Sequence, residues 1–402
     1  GRDGDALVDN GLAPRIEDMD SLPDPDYSEY FATLFRLGTQ AVTGNAPPLL
    51  LFETSRGCWW GAKQHCTFCG LSASGMKFRA KSPAAALGQM ERLSRRYRIN
   101  NFEAVDNIID YRYIEQLCKP LAEQHLDYRI FYEVKANLHP RQLKTMVYAG
   151  IDRIQPGIES LNTHILALMR KGTTMLRNVR LLKWAHYYGM RVSWNILTGF
   201  PGETETDYAE QVRVIPLLQH LPPPSGASRI WLERFSPYFF DDSFPVSGVT
   251  PLQAYRFVYP EHRIDLKEVA YFFSYEMDDT LPHDHHGELR DRLWHWKKAW
   301  KGEPRPSLSY QRTPEWIQVV DRRTQEIAAY SFTGWEADAN ELCGEAEQSA
   351  ESLVQHLTQR GDRGEISTEQ VCASLEKFCD LGLMLQEKNT YLSLALPVNR
   401  YW

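Results

Sequence analysis

The chain has 402 residues, of which 43% are apolar, 12% aromatic and 24% charged, a composition that is ordinary for a globular protein with a buried core. Its net charge of −7 is concentrated at the C-terminal end, where residues 313–402 hold 7 Lys and Arg against 15 Asp and Glu, a poor surface for nucleic acid. The sequence has no run of about 18 apolar residues and no secretory signal, so we expect a cytoplasmic protein without a membrane partner.

The first 47 residues are polar and rich in turn-forming residues, and they include the stretch SLPDPDYSEYF. This composition is typical of an extended arm or linker. We therefore assign residues 1–47 to an arm and expect the first folded domain to begin at residue 48. Residue 1 is Gly rather than Met, which suggests that the sequence begins inside a longer polypeptide.

Short β-rich runs alternate with helical stretches six times between residues 48 and 240. Such alternation predicts an α/β fold with a parallel sheet and crossover helices. We expect a partial (β/α)6 barrel, and a doubly wound open sheet is the alternative. The six β-rich runs are residues 49–55, 101–106, 128–134, 153–158, 191–197 and 228–235.

Three of the seven cysteines, Cys58, Cys66 and Cys69, cluster directly after the first β-rich run. An odd cysteine count argues against a disulfide framework and is typical of a reducing compartment. With His65 the three thiols could form a structural zinc site, although the adjacency of His65 and Cys66 would strain the loop. The other hypothesis is a 4Fe-4S cluster held by three cysteines, whose open iron can chelate the amino and carboxylate groups of a small molecule.

The cysteine loop resembles the signature of radical S-adenosylmethionine (SAM) enzymes. Their commonest spacing is C-x3-C-x2-C, whereas the spacing here is C-x7-C-x2-C. This longer gap is similar to that of the cobalamin-dependent radical SAM proteins that mature ribosomally made peptides, a group that includes tryptophan 2-C-methyltransferases. The resemblance implies a 4Fe-4S cluster on Cys58, Cys66 and Cys69, with SAM and cobalamin as further cofactors and a flavodoxin or ferredoxin as reductant.

The resemblance extends to residues at the ends of the predicted strands, where a barrel places its ligand-binding loops. It implies that Phe68 lies against the SAM adenine and that Glu159 and Ser160, in GIES, contact the ribose or carboxylate. It also implies that Asn195, in NILTGFPGET, contacts the ribose and that the turn at Gly199 shapes the adenine pocket.

Two further SAM contacts are assigned from the same resemblance. Arg170 and Lys171, in MRKGTT, could pair with the methionine carboxylate. The Gly-Gly-Glu motif that usually holds the SAM amino group is missing, and VDN stands in its place, so Asp106 is the best substitute.

Residues 241–312 are aromatic, charged and interrupted by proline, and we predict irregular structure plus a helix around GELRDRLWHWKKAW. The stretch PHDHHG places His283, His285 and His286 between Pro and Gly. This favours an exposed turn over a metal site, and we assign the three histidines no role.

Residues 313–402 are predicted to form two strands, three helices and a hairpin, an order that suggests a small winged-helix unit. The third helix begins at Ser367 with Gln370 three residues on, and it can end at Gly382. The unit resembles the small recognition domains by which peptide-modifying enzymes hold a leader peptide as an added strand, and a purely structural cap is the alternative. Cys343 and the other C-terminal cysteines form no C-x-x-C pair and are predicted to be core residues.

The function that the resemblance implies is cobalamin-dependent C-methylation of a peptide precursor or a tryptophan-like amino acid. In that family a SAM-derived 5'-deoxyadenosyl radical takes a hydrogen from carbon and methylcobalamin delivers the methyl group. The arm resembles the segment that joins a cobalamin-binding domain to the barrel, so we expect that domain to be missing from this sequence; a disordered acidic N-terminus is the alternative.

The candidate acid, base or substrate groups lie on the third and sixth strands, and Glu133 and Tyr238 are the preferred ones. The others are Lys135, Asn137, Glu233 and Arg234. Two rival functions remain open at this point: a cobalamin-independent radical SAM peptide-modifying enzyme, such as an epimerase or crosslinker, and a zinc-stapled binding module without catalysis.

Overall fold

The computed structural model describes residues 2–4, 6–8, 11, 13–38, 44, 47–71, 73, 75–359 and 366–401. The other residues of the predicted arm, and Arg360 at the end of a predicted helix, lie outside the described residues. None of the helices in these ranges has the length and apolar character that a bilayer crossing requires.

A parallel sheet forms the centre of the molecule. Leu197 N donates to Glu159 O at 2.9 Å and so links the strand Ile196–Thr198 to the loop after the fourth strand. Ile196–Thr198 pairs in parallel with Ala227–Arg229. The prediction of an α/β fold with a parallel sheet is confirmed, whereas closure into a partial barrel stays a prediction. Five strands pair in chain order: Leu50–Phe52, Asn101–Ala104, Arg129–Glu133, Ile151–Gln155 and Arg191–Val192.

Helices connect the parallel strands, and capping side chains fix where several of them begin. Ser82 Oγ accepts a hydrogen bond from Ala85 N at 3.1 Å, ahead of a helix with proline in its first turn. The predicted capping box at Thr204 and Asp207 is confirmed. The connecting helices are Pro83–Tyr97, Ile114–Cys118 continued by Lys119–Glu123, Pro140–Tyr148, Thr163–Leu168, Met175–Tyr187 and Glu205–Val214.

The segment after the sixth β-rich run is more regular than predicted. Leu232–Glu233 and Val246–Pro251 both pair antiparallel with Phe272–Met277. The prediction of irregular structure is wrong for Val246–Pro251 and Phe272–Met277, since proline and bulky aromatic residues obscure their alternation in the sequence. The predicted helix is present as Gly287–Lys301, and the short helices of the segment are Pro237–Phe240, Gln253–Phe257, Leu266–Val269 and His283–His286.

The C-terminal region contains the predicted strands, helices and hairpin in the predicted order. An additional strand, Ser307–Arg312, pairs with the first predicted strand and was not expected from the sequence. Classification as a winged-helix unit stays a prediction. The elements are the strands Trp316–Arg322 and Ala328–Thr333, the helices Gly334–Glu345, Ala350–Gln359 and Thr368–Asp380, the hairpin Met384–Glu387 with Thr390–Ser393, and the short strands Gln348–Ser349 and Leu396–Pro397.

The C-terminal region is fastened to the helix Met175–Tyr187 by buried polar contacts. Lys183 is fully buried, and its Nζ donates to Gly344 O at 3.1 Å and Ser393 O at 2.7 Å. Trp184 Nε1 also donates to Gly344 O, at 2.9 Å. Because each contact crosses more than 150 residues of sequence, these side chains tie the C-terminal elements directly to the core.

The described part of the arm follows the outside of the helix Pro83–Tyr97. Met19 is buried, and two carboxylates of the arm pair with arginines of the helix. These pairs are exposed, so each contributes at most about 1 kcal/mol, and the buried Met19 is the stronger anchor. The arm then forms the helix Ser28–Leu37. The ion pairs join Asp24 to Arg92 at 2.6 Å and Asp26 to Arg96 at 2.8 Å.

Candidate functional site

The cysteine loop begins at a glycine that no other residue can replace without strain. Gly57 has φ +79°, and a Cβ atom there would lie 2.3 Å from Lys77 O. Cys58 then caps the short helix Trp59–Lys63, and its Sγ accepts a hydrogen bond from Gly61 N at 3.3 Å. The backbone thus fixes the direction in which the Cys58 side chain leaves the first strand.

The other two cysteines lie on one tight turn, and the residue after it is hydrogen-bonded to a side chain of the sixth β-rich run. Cys69 N donates to Cys66 O at 3.2 Å. The next residue, Gly70, donates its N–H to Glu233 Oε2 at 2.8 Å, and a Cβ atom on Gly70 would lie 2.3 Å from Arg234 O. A glycine is therefore required at this position, because the backbone of another strand passes directly over it.

All three cysteines line one cavity of about 310 Å³ at the carboxyl ends of the parallel strands. The cavity is therefore where the ends of several strands meet, as expected for a ligand site on a parallel α/β fold. Its other lining residues include Trp60, Phe68, Asn107, Glu133, Lys135, Gln155, Glu159, Lys171, Asn195 and Glu233.

The thiols are half-buried, and burial raises the pKa values of Cys66 and Cys69, the latter to about 12. A thiol of this kind becomes a thiolate only beside positive charge or when it binds a metal. The side chains of Lys171 and Lys135 supply positive charge, and both oppose the rise in the pKa of Cys66. Chemically, this donor set fits the three cysteine ligands of an iron-sulfur cluster.

Glu159 and Lys171 form an ion pair at the cavity wall, with Nζ and Oε2 3.0 Å apart. Both side chains are about 15% exposed. Burial lowers the pKa of Lys171, but Glu159, Cys66 and Cys69 together outweigh this effect and the net pKa is raised. Gly157 makes room for the pair, since a Cβ atom there would lie 2.9 Å from Lys171 Nζ.

Glu133 lies at the end of the third strand, on the cavity wall. Burial, and then the nearby charge of Glu159, raises the pKa of Glu133 to about 7. A carboxyl group with this pKa exchanges protons near neutral pH, which is what acid or base catalysis requires.

Two predicted adenine and ribose contacts also line the cavity. Phe68 packs edge-on against Phe200, with ring centroids 6.1 Å apart. Asn195 precedes the strand Ile196–Thr198 and faces the same space. The turn after this strand is held by Glu203, whose Oε2 accepts from Gly199 N at 2.8 Å and Phe200 N at 3.0 Å.

Several residues predicted to contact cofactor or substrate are not among those that line this cavity. Asp106 is buried beneath the loop, where its carboxylate accepts from Thr54 N at 2.8 Å and Ser55 Oγ at 2.8 Å. Its neighbour Asn107 faces the cavity instead. Ser160 is likewise buried, with its Oγ 3.2 Å from Gln211 Oε1.

The remaining predicted residues act on the site through the backbone. Arg170 O accepts from Trp60 Nε1 at 3.1 Å, and the Arg170 guanidinium lies over the ring of Phe244. Tyr238 N donates to Thr67 O at 3.1 Å, inside the cysteine loop, while the Tyr238 side chain is buried away from the cavity. Gly199 likewise contributes through its backbone, because its N–H donates to Glu203 Oε2.

Sequence reasoning assigned no role at the cavity to Trp60, Asn107 and Gln155. Trp60 packs against Gly172, where a Cβ atom would lie 2.1 Å from the indole ring. The sequence shows an aromatic residue in the cysteine loop and a glycine in MRKGTT, but only the fold shows that the two residues are in contact.

The histidine turn is not fully exposed, so this prediction is wrong for one of its three residues. His286 is buried, with Nε2 3.5 Å from Glu203 Oε1 and its ring against Tyr208. The segment after the antiparallel sheet thereby supports the Gly199 turn, a contact that local sequence cannot reveal.

Parts of the chain are similar to known proteins. Residues 52–215 match the radical SAM superfamily. The chain is 24% identical over 204 residues to an uncharacterized methyltransferase of Pyrococcus horikoshii, a match that covers 50% of this chain and 42% of that protein.

Two solved structures were also found to be similar. One is the radical SAM methyltransferase TsrM from Kitasatospora setae, with 17% identity, a TM-score of 0.47 and coverage of 62% of this chain and 51% of that one. The other is the cobalamin-dependent radical SAM enzyme OxsB, with 17% identity, a TM-score of 0.43 and coverage of 63% and 42%. The chain thus spans about half the length of these relatives, and the match to the radical SAM superfamily covers residues 52–215.

Proposed function

We propose that this chain is the catalytic part of a radical SAM C-methyltransferase that uses a 4Fe-4S cluster, SAM and cobalamin. Its substrate is a peptide precursor or a tryptophan-like amino acid. The observation that carries the proposal is the convergence of Cys58, Cys66 and Cys69 on one cavity at the carboxyl ends of the parallel strands. The methyltransferase name of the Pyrococcus relative supports the reaction class.

The residues around the cavity suit the cofactors proposed for it. Cys58, Cys66 and Cys69 would hold the cluster, and Phe68 offers an aromatic wall for an adenine. Asn195 and the Glu159–Lys171 pair offer hydrogen bonds and opposite charges for a ribose and an amino acid group. When bound, the cluster and SAM supply radical chemistry and cobalamin supplies a methyl group.

Glu133 is the residue proposed to move a proton. Methylation replaces a hydrogen on the acceptor atom by a methyl group, and in a polar transfer that hydrogen leaves as a proton. With a pKa raised to about 7, Glu133 can accept the proton near neutral pH. Its position on the cavity wall places it among the candidate cofactor-binding residues.

The zinc-stapled module is disfavoured by the position of His65. Its Nε2 lies 2.8 Å from Cys69 O, so this ring nitrogen is engaged with the loop backbone. Within the described ranges, no group of three or more His, Cys, Asp and Glu side chains is arranged to hold a metal ion. A 4Fe-4S cluster is wider than a single ion, so its cysteine ligands need not converge on one point.

Cobalamin is proposed from the C-x7-C-x2-C spacing and from the linker-like arm. The described arm is docked on the helix Pro83–Tyr97 and ends in the helix Ser28–Leu37, whose Phe35 is 88% exposed. We propose that residues 1–47 join this part to a cobalamin-binding domain, and that residues 313–402 hold a leader peptide.

Anaerobic reconstitution followed by mass spectrometry tests the proposal. Protein reconstituted with iron and sulfide is incubated with SAM, a reductant and added methylcobalamin, once with tryptophan and once with a candidate precursor peptide. We expect the mass of one CH2 group to be gained by one of the two substrates. The matched control is the Cys66→Ala variant, which keeps the loop but loses one proposed ligand.

The outcomes separate the three candidate functions. A product that forms only with the corrinoid supports the proposal. Cleavage of SAM to 5'-deoxyadenosine with no methylated product in either arm favours the cobalamin-independent enzyme. Stoichiometric zinc, with no iron-sulfur absorbance after reconstitution, would favour the binding module.

A further inference from the structure

Lys135 is a buried cation on the wall of the cavity that the three cysteines line. It follows the third strand by two residues, is 8% exposed and faces the same space as Cys58 and Cys66. The mechanism proposed above gives it no role.

The contacts of Lys135 with the other described residues include no ion pair to a carboxylate. Its ammonium donates to the backbone oxygen of Lys171 and lies 3.7 Å from the centroid of the Trp60 ring. Both contacts stabilise a cation, but neither carries a full negative charge. A buried charge is costly unless an opposite charge compensates it, and burial accordingly lowers the pKa of Lys135 to about 8.

The three carboxylates on the cavity wall have other partners or are partly neutral. Glu159 is paired with Lys171 at 3.0 Å. Glu233 accepts hydrogen bonds from Gly70 N at 2.8 Å and from the Tyr271 hydroxyl at 3.2 Å. Glu133 has a pKa raised to about 7, so a large fraction of it is uncharged at neutral pH. The thiols of Cys66 and Cys58 act on Lys135 more strongly than Glu159 does, and they are the negative groups near it that have no cation of their own in an ion pair among the described residues.

We propose that Lys135 is the electrostatic counter-charge of the three-cysteine site and that its ammonium raises the reduction potential of the iron-sulfur cluster bound there. This inference rests on the proposed function. Reduction adds one electron, supplied by an external reductant, and no atom or proton is transferred. Because the reduced cluster carries one more negative charge, a nearby cation stabilises it relative to the oxidised form.

Contact with the Trp60 ring holds the Lys135 ammonium in place, unlike the ammonium of a mobile surface lysine. The indole is held by the segment 170–172, since its Nε1 donates to Arg170 O at 3.1 Å and its ring packs on Gly172. Lys135 on one face of this ring is therefore held at a constant distance from the cysteine loop. Lys63 also lies over the Trp60 ring, at 5.9 Å, but it is exposed to solvent.

This pair of lysines gives a matched test. The Lys135→Gln variant removes the charge and keeps a donor for the Lys171 carbonyl, and Lys135→Arg keeps the charge. Lys63→Gln removes an exposed charge beside the same indole, where solvent screens it. Each reconstituted protein is titrated with reductant in the absence of SAM, and the reduced cluster is quantified by its paramagnetic signal.

We expect the ratio of reduced to oxidised cluster at a fixed potential to fall about tenfold in Lys135→Gln, which for one electron corresponds to about 59 mV. Lys135→Arg and Lys63→Gln should titrate like the unmodified protein. If Lys135→Gln fails to retain a cluster, Lys135→Met is titrated in its place, with the same expectation.

One result would overturn the inference: an unchanged midpoint in Lys135→Gln, or in Lys135→Met where that variant replaces it. A lack of any cluster in the unmodified protein would instead contradict the proposed function, so the two failures are distinguishable.

Discussion

Lys183 offers a prediction that depends on the fold alone. Its ammonium is fully buried between the helix Met175–Tyr187 and the C-terminal region, and its acceptors, Gly344 O and Ser393 O, are uncharged. Burial lowers the pKa of Lys183 from its ordinary value of 10.5 to about 7. Between these two values the unfolded chain binds a proton that the folded chain has released, so stability from this group rises with pH across that window.

The magnitude follows from the size of the shift. Each pKa unit corresponds to about 1.4 kcal/mol, so between pH 7 and pH 10 the free energy of unfolding should rise by about 3 kcal/mol because of Lys183. The Lys183→Met variant has no titratable group at this position and should lack this rise. Met also leaves Ser393 O without its donor, but that loss shifts the curve equally at every pH.

Urea unfolding at pH 7, 8, 9 and 10 measures the difference. The control is Lys119→Met, which removes an exposed lysine that pairs with Glu115. We expect the gap between the unmodified protein and Lys183→Met to change steadily over this range and the gap to the control to stay constant. Parallel pH curves for the unmodified protein and Lys183→Met would show that this lysine is not buried as a neutral amine, which refutes the reasoning.

Four further predictions follow from the site and the arm. If Glu133 accepts the proton, methylation should increase with pH through about 7, and Glu133→Gln should remove this dependence in a pH–rate profile. Gly70→Ala places a Cβ 2.3 Å from a backbone oxygen and should lower the iron bound after reconstitution, whereas Gly226→Ala, with open space around it, should not. Glu203→Gln should destabilise the chain by about 1–3 kcal/mol in thermal unfolding, because an amide cannot accept as many hydrogen bonds as the buried carboxylate. Met19→Ala should release the arm and speed its cleavage in limited proteolysis, while cleavage at an unchanged rate would mean that the surface ion pairs suffice.

The repeating pattern of the sequence predicted the parallel sheet because hydrophobic runs and capping residues are local signals. Thr204 and Asp207 cap their own helix, and the turn residues around them lie within a few positions. The strands Val246–Pro251 and Phe272–Met277 were missed because they pair across a long connection and are interrupted by proline and aromatic residues. Pairing of this kind depends on distant partners, which composition does not encode.

For the candidate site, too, some residues could be predicted from the sequence and others could not. Glu133 was placed at the end of the third strand by pattern, and Phe68, Glu159 and Asn195 were assigned from the family resemblance; all four line the cavity with the cysteines. Asp106 was predicted to face the cavity, but its neighbour Asn107 faces it instead. Adjacent residues of an extended chain point in opposite directions, so an error of one position selects the wrong side chain.

Hydrogen bonds join the cysteine loop to the loop that carries Lys171. Thr67 N donates to Met169 O at 3.2 Å, and Trp60 Nε1 donates to Arg170 O at 3.1 Å. A ligand that moves one loop is therefore expected to move the other loop as well. Under the proposed function, the ligand that binds first should order both loops, so the cluster and SAM should bind cooperatively.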